Sequence, residues 1–269
     1  MYACDFEYDG LTLSSFGFVI CEIGGSSGFD TVGIGSNISF NTTSMHSGKV
    51  WGLAGAEYSD CIETSFYICK DNSSSDLQIS NSEIRSLARW LNRREFLKFK
   101  FINEDPTAED CYYDASFNIN KSLISKEVYA LELEMKTNRP FGYGIEKSLS
   151  WIVTGSSQTY SFDDTSDEIG YIYPSLVIVC KQAGDLSISD DVEDGTMLIK
   201  NCSVDEVITI DGQSHVINSS LDSHHLYDDF NFEFLKIGNR LNNKTNTITV
   251  SLPCEITLKY NPIIKNSPD

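Results

Sequence analysis

The stretch Ser80-Asn-Ser-Glu-Ile-Arg-Ser-Leu-Ala-Arg-Trp-Leu-Asn-Arg-Arg94 carries a pattern that the rest of this 269-residue chain lacks. Ile84, Leu87, Ala88 and Leu91 recur at i, i+3, i+4 and i+7, which lines one face of an α-helix over about 82–93. Ser80 and Glu83 have the Ser-x-x-Glu spacing of a capping box, worth about 1 kcal/mol, and fix where that helix starts. Arg85, Arg89 and Arg93 follow at i, i+4 and i+8 on a second face, and Arg94 completes a set of four. The spacing predicts a helix that packs on a β-sandwich by its apolar face and offers its basic face to something acidic. The commoner explanation of such a stripe is a solvated helix surface.

Around the helix the chain reads as short strands. Leu11–Ser14, Gly17–Ile23, Ile38–Asn41, Lys49–Leu53 and Cys61–Cys69 precede it. In the last of these Ile62, Thr64, Phe66 and Ile68 alternate with Glu63, Ser65 and Tyr67. After the helix come a half-buried strand through Leu97, Phe99 and Phe101, another at Tyr113–Ile119, and Tyr129, Leu131, Leu133 and Met135 alternating with polar residues. A period of two requires one wet face. Asn138-Arg-Pro-Phe-Gly-Tyr-Gly144 breaks the pattern and marks a domain boundary, because Pro140 cannot sit in a central strand. Beyond it, Leu149–Val153, Thr159–Phe162, Gly170–Cys180, Leu186–Ser189, Met197–Asn201, Val207–Asp211, Thr247–Leu252 and Glu255–Tyr260 are strands separated by turn residues. Asn261–Asp269 reads as a frayed tail. The expectation is a mainly β protein of two β-sandwich domains, residues 1–139 with the helix and residues 140–269.

Charge excludes some partners. The chain has 20 basic and 39 acidic residues, a formal −19. Non-specific nucleic-acid affinity comes from Lys and Arg neutralising phosphates, so no nucleic-acid binding is expected, nor attraction to an anionic membrane. No apolar run approaches the roughly 20 residues of a membrane span, and the acidic start lacks the pattern of a signal peptide. The eight cysteines contain no Cys-x-x-Cys and read as reduced thiols, most of them small buried apolar groups.

Candidate chemistry is sparse. Gly24-Gly-Ser-Ser-Gly28 matches a nucleophile elbow, but no helical pattern follows it, and a Gly/Ser loop is the ordinary reading. His224-His225 with Asp228-Asp229 has metal-ligand composition, yet adjacent side chains diverge, which favours a polar loop. Asp190-Asp-Val-Glu-Asp-Gly195 has Val192 where a calcium loop needs Asp or Asn. Asp163-Asp164 and Asp167-Glu168 are ordinary acidic turns. No catalytic residue, cofactor or metal site is assigned, and a binding or structural role is favoured over an enzyme.

Several segments, in order, resemble the distal tail protein family of siphophages. Phe6-Glu-Tyr-Asp-Gly10 and Ser14-Ser-Phe-Gly-Phe-Val-Ile-Cys21 resemble its start, and Ile84–Leu91 with Phe96–Phe101 its single helix and next strand. Glu132-Leu-Glu-Met with Arg139-Pro-Phe141 resembles the end of its first domain. Asn201–Asp211, Asp229–Phe234 and Asn246–Val250 resemble late strands of its second. The resemblance implies a non-enzymatic homohexameric ring at the distal end of a tail. Its first domain, a β-sandwich with one helix and a β-hairpin arm, makes the ring, and the second is a galectin-like sandwich outside it. It implies tail tube protein and a tail-associated hub or lysin protein as partners, with receptor-binding proteins docking in many phages. The basic helix face then becomes half of a contact with a neighbour or partner, with Arg85, Arg89, Arg93 and Arg94 as its residues. The segment Leu235–Asn246 is longer than the family's turn, and the second domain lacks the His/Asn/Arg and Trp/Glu/Arg spacing of a sugar-binding galectin. The alternative reading is a cell-surface glycan-binding β-sandwich adhesin. The last strand, Glu255–Tyr260, is open to pairing in either domain.

Overall fold

The computed structural model describes residues 3–22, 37–45, 48–74, 76–103, 110–193, 195–240 and 244–265. The chain divides into two compact units, residues 1–144 with 264–269, and residues 145–263.

In the first unit the strands are β1 (Ala3–Tyr8), β2 (Leu11–Thr12), β3 (Phe18–Cys21), β4 (Ile38–Met45), β5 (Val50–Tyr58) and β6 (Glu63–Lys70). The helix α1 (Asn81–Leu91) follows, then β7 (Leu97–Asn103), β8 (Tyr113–Ile124), β9 (Glu127–Thr137) and β10 (Gly142–Tyr143). Seven of these strands form one antiparallel sheet in the order β2-β1-β7-β8-β9-β6-β3. The sheet folds over itself: the ring of Phe6 on β1 lies 5.8 Å from that of Phe66 on β6, with three strands between them in the sheet order. α1 closes the open side with Leu87, Trp90 and Leu91, all buried. Each such side chain contributes about 1.5–3 kcal/mol on leaving water. Trp90 stacks on Phe16 at 4.5 Å and on Phe6 at 5.6 Å, and its Nε1–H donates to the Tyr8 carbonyl at 3.0 Å.

The capping box forms as the spacing predicts. Glu83 N–H donates to Ser80 Oγ at 3.3 Å, and Ser80 N–H donates to Glu83 Oε2 at 2.7 Å. The helix stops at Leu91 instead of 93. Asn92 leaves the helical region at φ −82°, ψ 77°, and its Nδ2 donates to the Phe117 carbonyl. A second correction concerns Leu11–Ser14. Only Leu11–Thr12 is strand, and Leu13–Phe16 is a 3₁₀ turn closed by Gly17 at φ 78°.

The second unit holds β11 (Lys147–Val153), β12 (Gln158–Asp163), β13 (Gly170–Ile172), β14 (Ser175–Cys180), β15 (Gly184–Ser189), β16 (Thr196–Cys202), β17 (Val207–Asp211) and β18 (Val216–Ser219). The helical turn α2 (Leu226–Asp229) precedes β19 (Ile237–Asn239), β20 (Thr245–Val250) and β21 (Cys254–Tyr260). Two sheets, β11-β21-β14-β17-β18 and β12-β20-β15-β16, supply a sandwich core that includes Leu176, Ile178, Leu186, Ile188, Ile248 and Ile256. The expected single strand Gly170–Cys180 is two strands in different sheets. Pro174 lies between them, and β13 pairs with β19 instead of entering the larger sheet. The last long strand, β21, pairs with β11 and β14, which settles its place in the second unit. The expected frayed tail is corrected at its start, where β22 (Ile263–Ile264) pairs with β10, and residues 266–269 lie outside the described residues.

Candidate functional site

Three surfaces of the first unit and one buried cluster of the second bear on function. The first surface is the predicted basic face. Arg85 and Arg89 are exposed on α1, while Arg93 and Arg94 follow its end, so the helical stripe is two residues long with two more after the turn. Arg93 pairs with Glu95 at 2.9 Å. Arg85, Arg89 and Arg94 have no ion pair among the described residues. Three guanidinium groups without an ion pair among the described residues give this acidic chain a local cationic patch.

The second surface is a hairpin that the strand predictions covered only in part. β4 and β5 pair with each other and with no third strand among the described residues. Phe40 is 62% exposed, Trp51 65% and Leu53 63%, with Ile38, Met45 and Val50 about half exposed. A run of bare apolar side chains on free-edged strands is the signature of a contact surface. The Gly24–Gly35 loop, including the elbow-like Gly24–Gly28, lies outside the described residues.

A third surface is the outward face of β6, β9 and β8. The register aligns Glu63 with Lys136, Ser65 with Glu134, and Tyr67 with Glu132. Lys136, Glu134 and Glu132 in turn oppose Ser116, Asn118 and Asn120. Asn120 Nδ2 donates to Glu134 Oε1 at 2.7 Å. The nine positions hold three Glu, one Lys and no aliphatic side chain, so this face is built to stay wet, as the alternation of β9 predicts.

In the second unit the candidate loops are structural. Asp190 caps its own turn by accepting from Val192 and Glu193 N–H through Oδ1 and from Lys236 N–H through Oδ2. Asp164, buried, accepts from Ser166, and Asp163 accepts from Thr245. His224 and His225 diverge, as adjacent side chains must. His225 is exposed, whereas His224 Nδ1 lies 2.6 Å from Oε1 of the fully buried Glu206. Burial opposes the charge on Glu206, but hydrogen bonds from Ser219, His224 and the Ser203 N–H outweigh it and hold the carboxyl below its ordinary value. Burial likewise opposes the imidazolium, and the bond to Glu206 outweighs that and raises His224. Among the described residues no group of three or more His, Cys, Asp or Glu side chains is placed to hold a metal ion. All eight cysteines are free thiols, but only Cys180, Cys202 and Cys254 are fully buried. Four are half-buried and Cys4 is exposed, which corrects the expectation that most are core residues.

Sequence reasoning missed Trp90 as the anchor of the helix and the exposed rings of the hairpin. Trp90 follows Leu87 by three, a helical spacing, so the signal for it was present.

These surfaces, a bare hairpin, a cationic helix face and a wetted sheet, sit on a strand-built protein whose described residues hold no cluster able to bind a metal ion. The chain belongs to the phage tail protein family: residues 1–139 match its phage tail protein N-terminal domain, and residues 141–260 match a phage tail C-terminal domain. It is 26% identical over 216 residues to the SPbeta prophage-derived uncharacterized protein YomH of Bacillus subtilis (strain 168), covering 77% of this chain and 80% of that one. Its fold is similar to that of the crystal structure of SPP1 Dit (gp 19.1), described as a paradigm of the hub adsorption apparatus in phages infecting Gram-positive hosts. That match has a TM-score of 0.65 at 13% identity and covers 97% of this chain and 99% of the SPP1 protein. The mainly β fold and the resemblance to distal tail proteins are thus borne out.

Proposed function

We propose that the chain is a non-enzymatic ring component at the distal end of a phage tail, made in the bacterial host cytoplasm and assembled as a homohexamer. The ring joins tail tube protein to a tail-associated hub or lysin protein, and the second unit is available to receptor-binding proteins. The observation that carries this reading is the β4–β5 hairpin, whose apolar side chains find no cover among the described residues. A closed ring needs two different patches per subunit, one for each neighbour. The hairpin supplies one, and the cationic face with Arg85, Arg89, Arg93 and Arg94 supplies a second, for a neighbour or for a tail partner. Copies of charge −19 repel at long range, but salt screens this beyond about 8 Å, so short-range complementary contacts hold the ring.

Light scattering and electron micrographs of the purified protein test the reading: six-fold rings with a central channel are expected. A particle that stays monomeric at every concentration, even with tube and hub proteins present, overturns it. Ring-dependent micromolar glycan binding is not expected, and a monomer that binds glycans favours the adhesin reading. Charge reversal at Arg85 and Arg89 is expected to weaken assembly or partner docking, and retention of both removes the helix face from the interface.

A further inference from the structure

The proposed ring assigns no contact to one surface of the second unit. The rings of Tyr227, Phe232, Phe230, Phe234, His215 and Tyr173 follow one another with centroids 4.5–5.6 Å apart. Phe230 and Phe234 root this run in the core, whereas Tyr227 is 82% and Phe232 53% exposed. Phe232 sits at φ 58°, a strained conformation for a bulky residue, and its ring is not buried in return. Asp228 and Glu233, next in sequence to the two exposed rings, are exposed, and their carboxylates have no hydrogen bond or ion pair among the described residues. Several nearby donors are committed: Asn231 Nδ2 donates to the Thr196 carbonyl, Asn201 Nδ2 to Asp229, and Lys236 pairs with Glu193. Besides the Tyr227 hydroxyl, the His215 and His225 rings and the exposed Lys200, the shelf offers ring faces and carboxylates, which accept.

We propose that this aromatic shelf docks a basic, arginine- or lysine-bearing segment of another protein. A guanidinium or ammonium group only donates, and it is attracted both to ring faces and to carboxylates. Residues 140–269 hold 8 basic and 19 acidic side chains, which complements such a segment in charge. The proposal stands whether or not the ring forms.

The test is fluorescence anisotropy of a labelled Arg-Gly repeat peptide against the full chain at physiological salt. Tyr227→Ala with Phe232→Gly is expected to weaken binding about tenfold. Glycine adopts the positive φ at 232 freely, so the fold is kept, and an unchanged melting curve verifies it. Asp228→Asn with Glu233→Gln is expected to weaken binding similarly and to reduce its salt dependence. Glu146→Gln with Glu255→Gln, the same charge change elsewhere on the unit, is expected to alter it less than about twofold. Equal weakening by that control, no effect of the ring variant, or ring-dependent binding of a neutral oligosaccharide panel in place of the peptide each overturns the proposal.

Discussion

Replacing Trp90 tests how the first unit holds its helix. The indole is 7% exposed, lies parallel to Phe16 at an interplanar angle of 15°, and donates to the Tyr8 carbonyl at 3.0 Å. Trp90→Phe keeps a stackable ring and deletes the donor, which leaves a buried carbonyl short of a partner and costs about 1–2 kcal/mol. Trp90→Ala also removes the ring from between Phe6, Tyr8 and Phe16, and a cavity of that kind costs about 3–5 kcal/mol. At about 2–4 °C per kcal/mol for a protein of this size class, the phenylalanine variant melts a few degrees low and the alanine variant roughly 10 °C low. Calorimetry on the three proteins measures both steps. If Trp90→Ala costs no more than Trp90→Phe, the stacked rings contribute nothing and the account of helix docking is wrong. The same variant loosens the mount of Arg85 and Arg89, so assembly by light scattering should weaken in the order wild type, Phe, Ala.

Ser80→Ala removes one arm of the capping box and should cost about 1 kcal/mol in chemical denaturation, with Ser80→Gly costing less. The Glu206–His224 pair predicts a pH optimum for the second unit. The lowered Glu206 stabilises above the ordinary carboxylate range and is lost as pH falls through its folded value. The raised His224 stabilises below the ordinary imidazole range of about 6.5 and is lost as pH rises through its folded value. Asp229, 3.5 Å from His224 Nε2, and Cys202 face the same pair. Melting temperature against pH should therefore peak in mildly acidic buffer, and His224→Gln should flatten the alkaline side of the curve. Gly212→Ala would drive a methyl group into the carbonyls of Tyr173 and Pro174 and should destabilise by about 1–3 kcal/mol, read as a lower urea midpoint.

What was legible in the sequence was whatever is amphipathic. The capping box and the Leu87–Leu91 face located α1, and the alternation of Leu131, Leu133 and Met135 located both faces of β9. The strand β1 carried the same alternation, Phe6 and Tyr8 against Asp5 and Glu7, and was legible but unread. Gly170–Cys180 misled because a continuous apolar run hides a change of sheet, and Pro174 was its one mark. The hairpin was under-read for a physical reason. Both its faces are exposed, so no periodicity separates an inner from an outer side, and Trp51 beside Val50 resembles core. The partnership of Glu206 with His224 joins residues 18 apart through a fold that no local spacing encodes. The four arginines were correctly read as exposed, but Asn92 ends the helix before the last two.

The bare hairpin carries a burden for the chain between synthesis and use. Phe40, Trp51 and Leu53, on strands with no third partner among the described residues, are sticky in dilute buffer, and a similar strand can add to them. The heavy negative surplus is a colloidal brake, and on the proposed assembly it keeps newly made molecules apart until a fitting surface shelters the greasy ribbon. Raising salt or approaching the isoelectric point should release that brake and turn orderly joining into clumping.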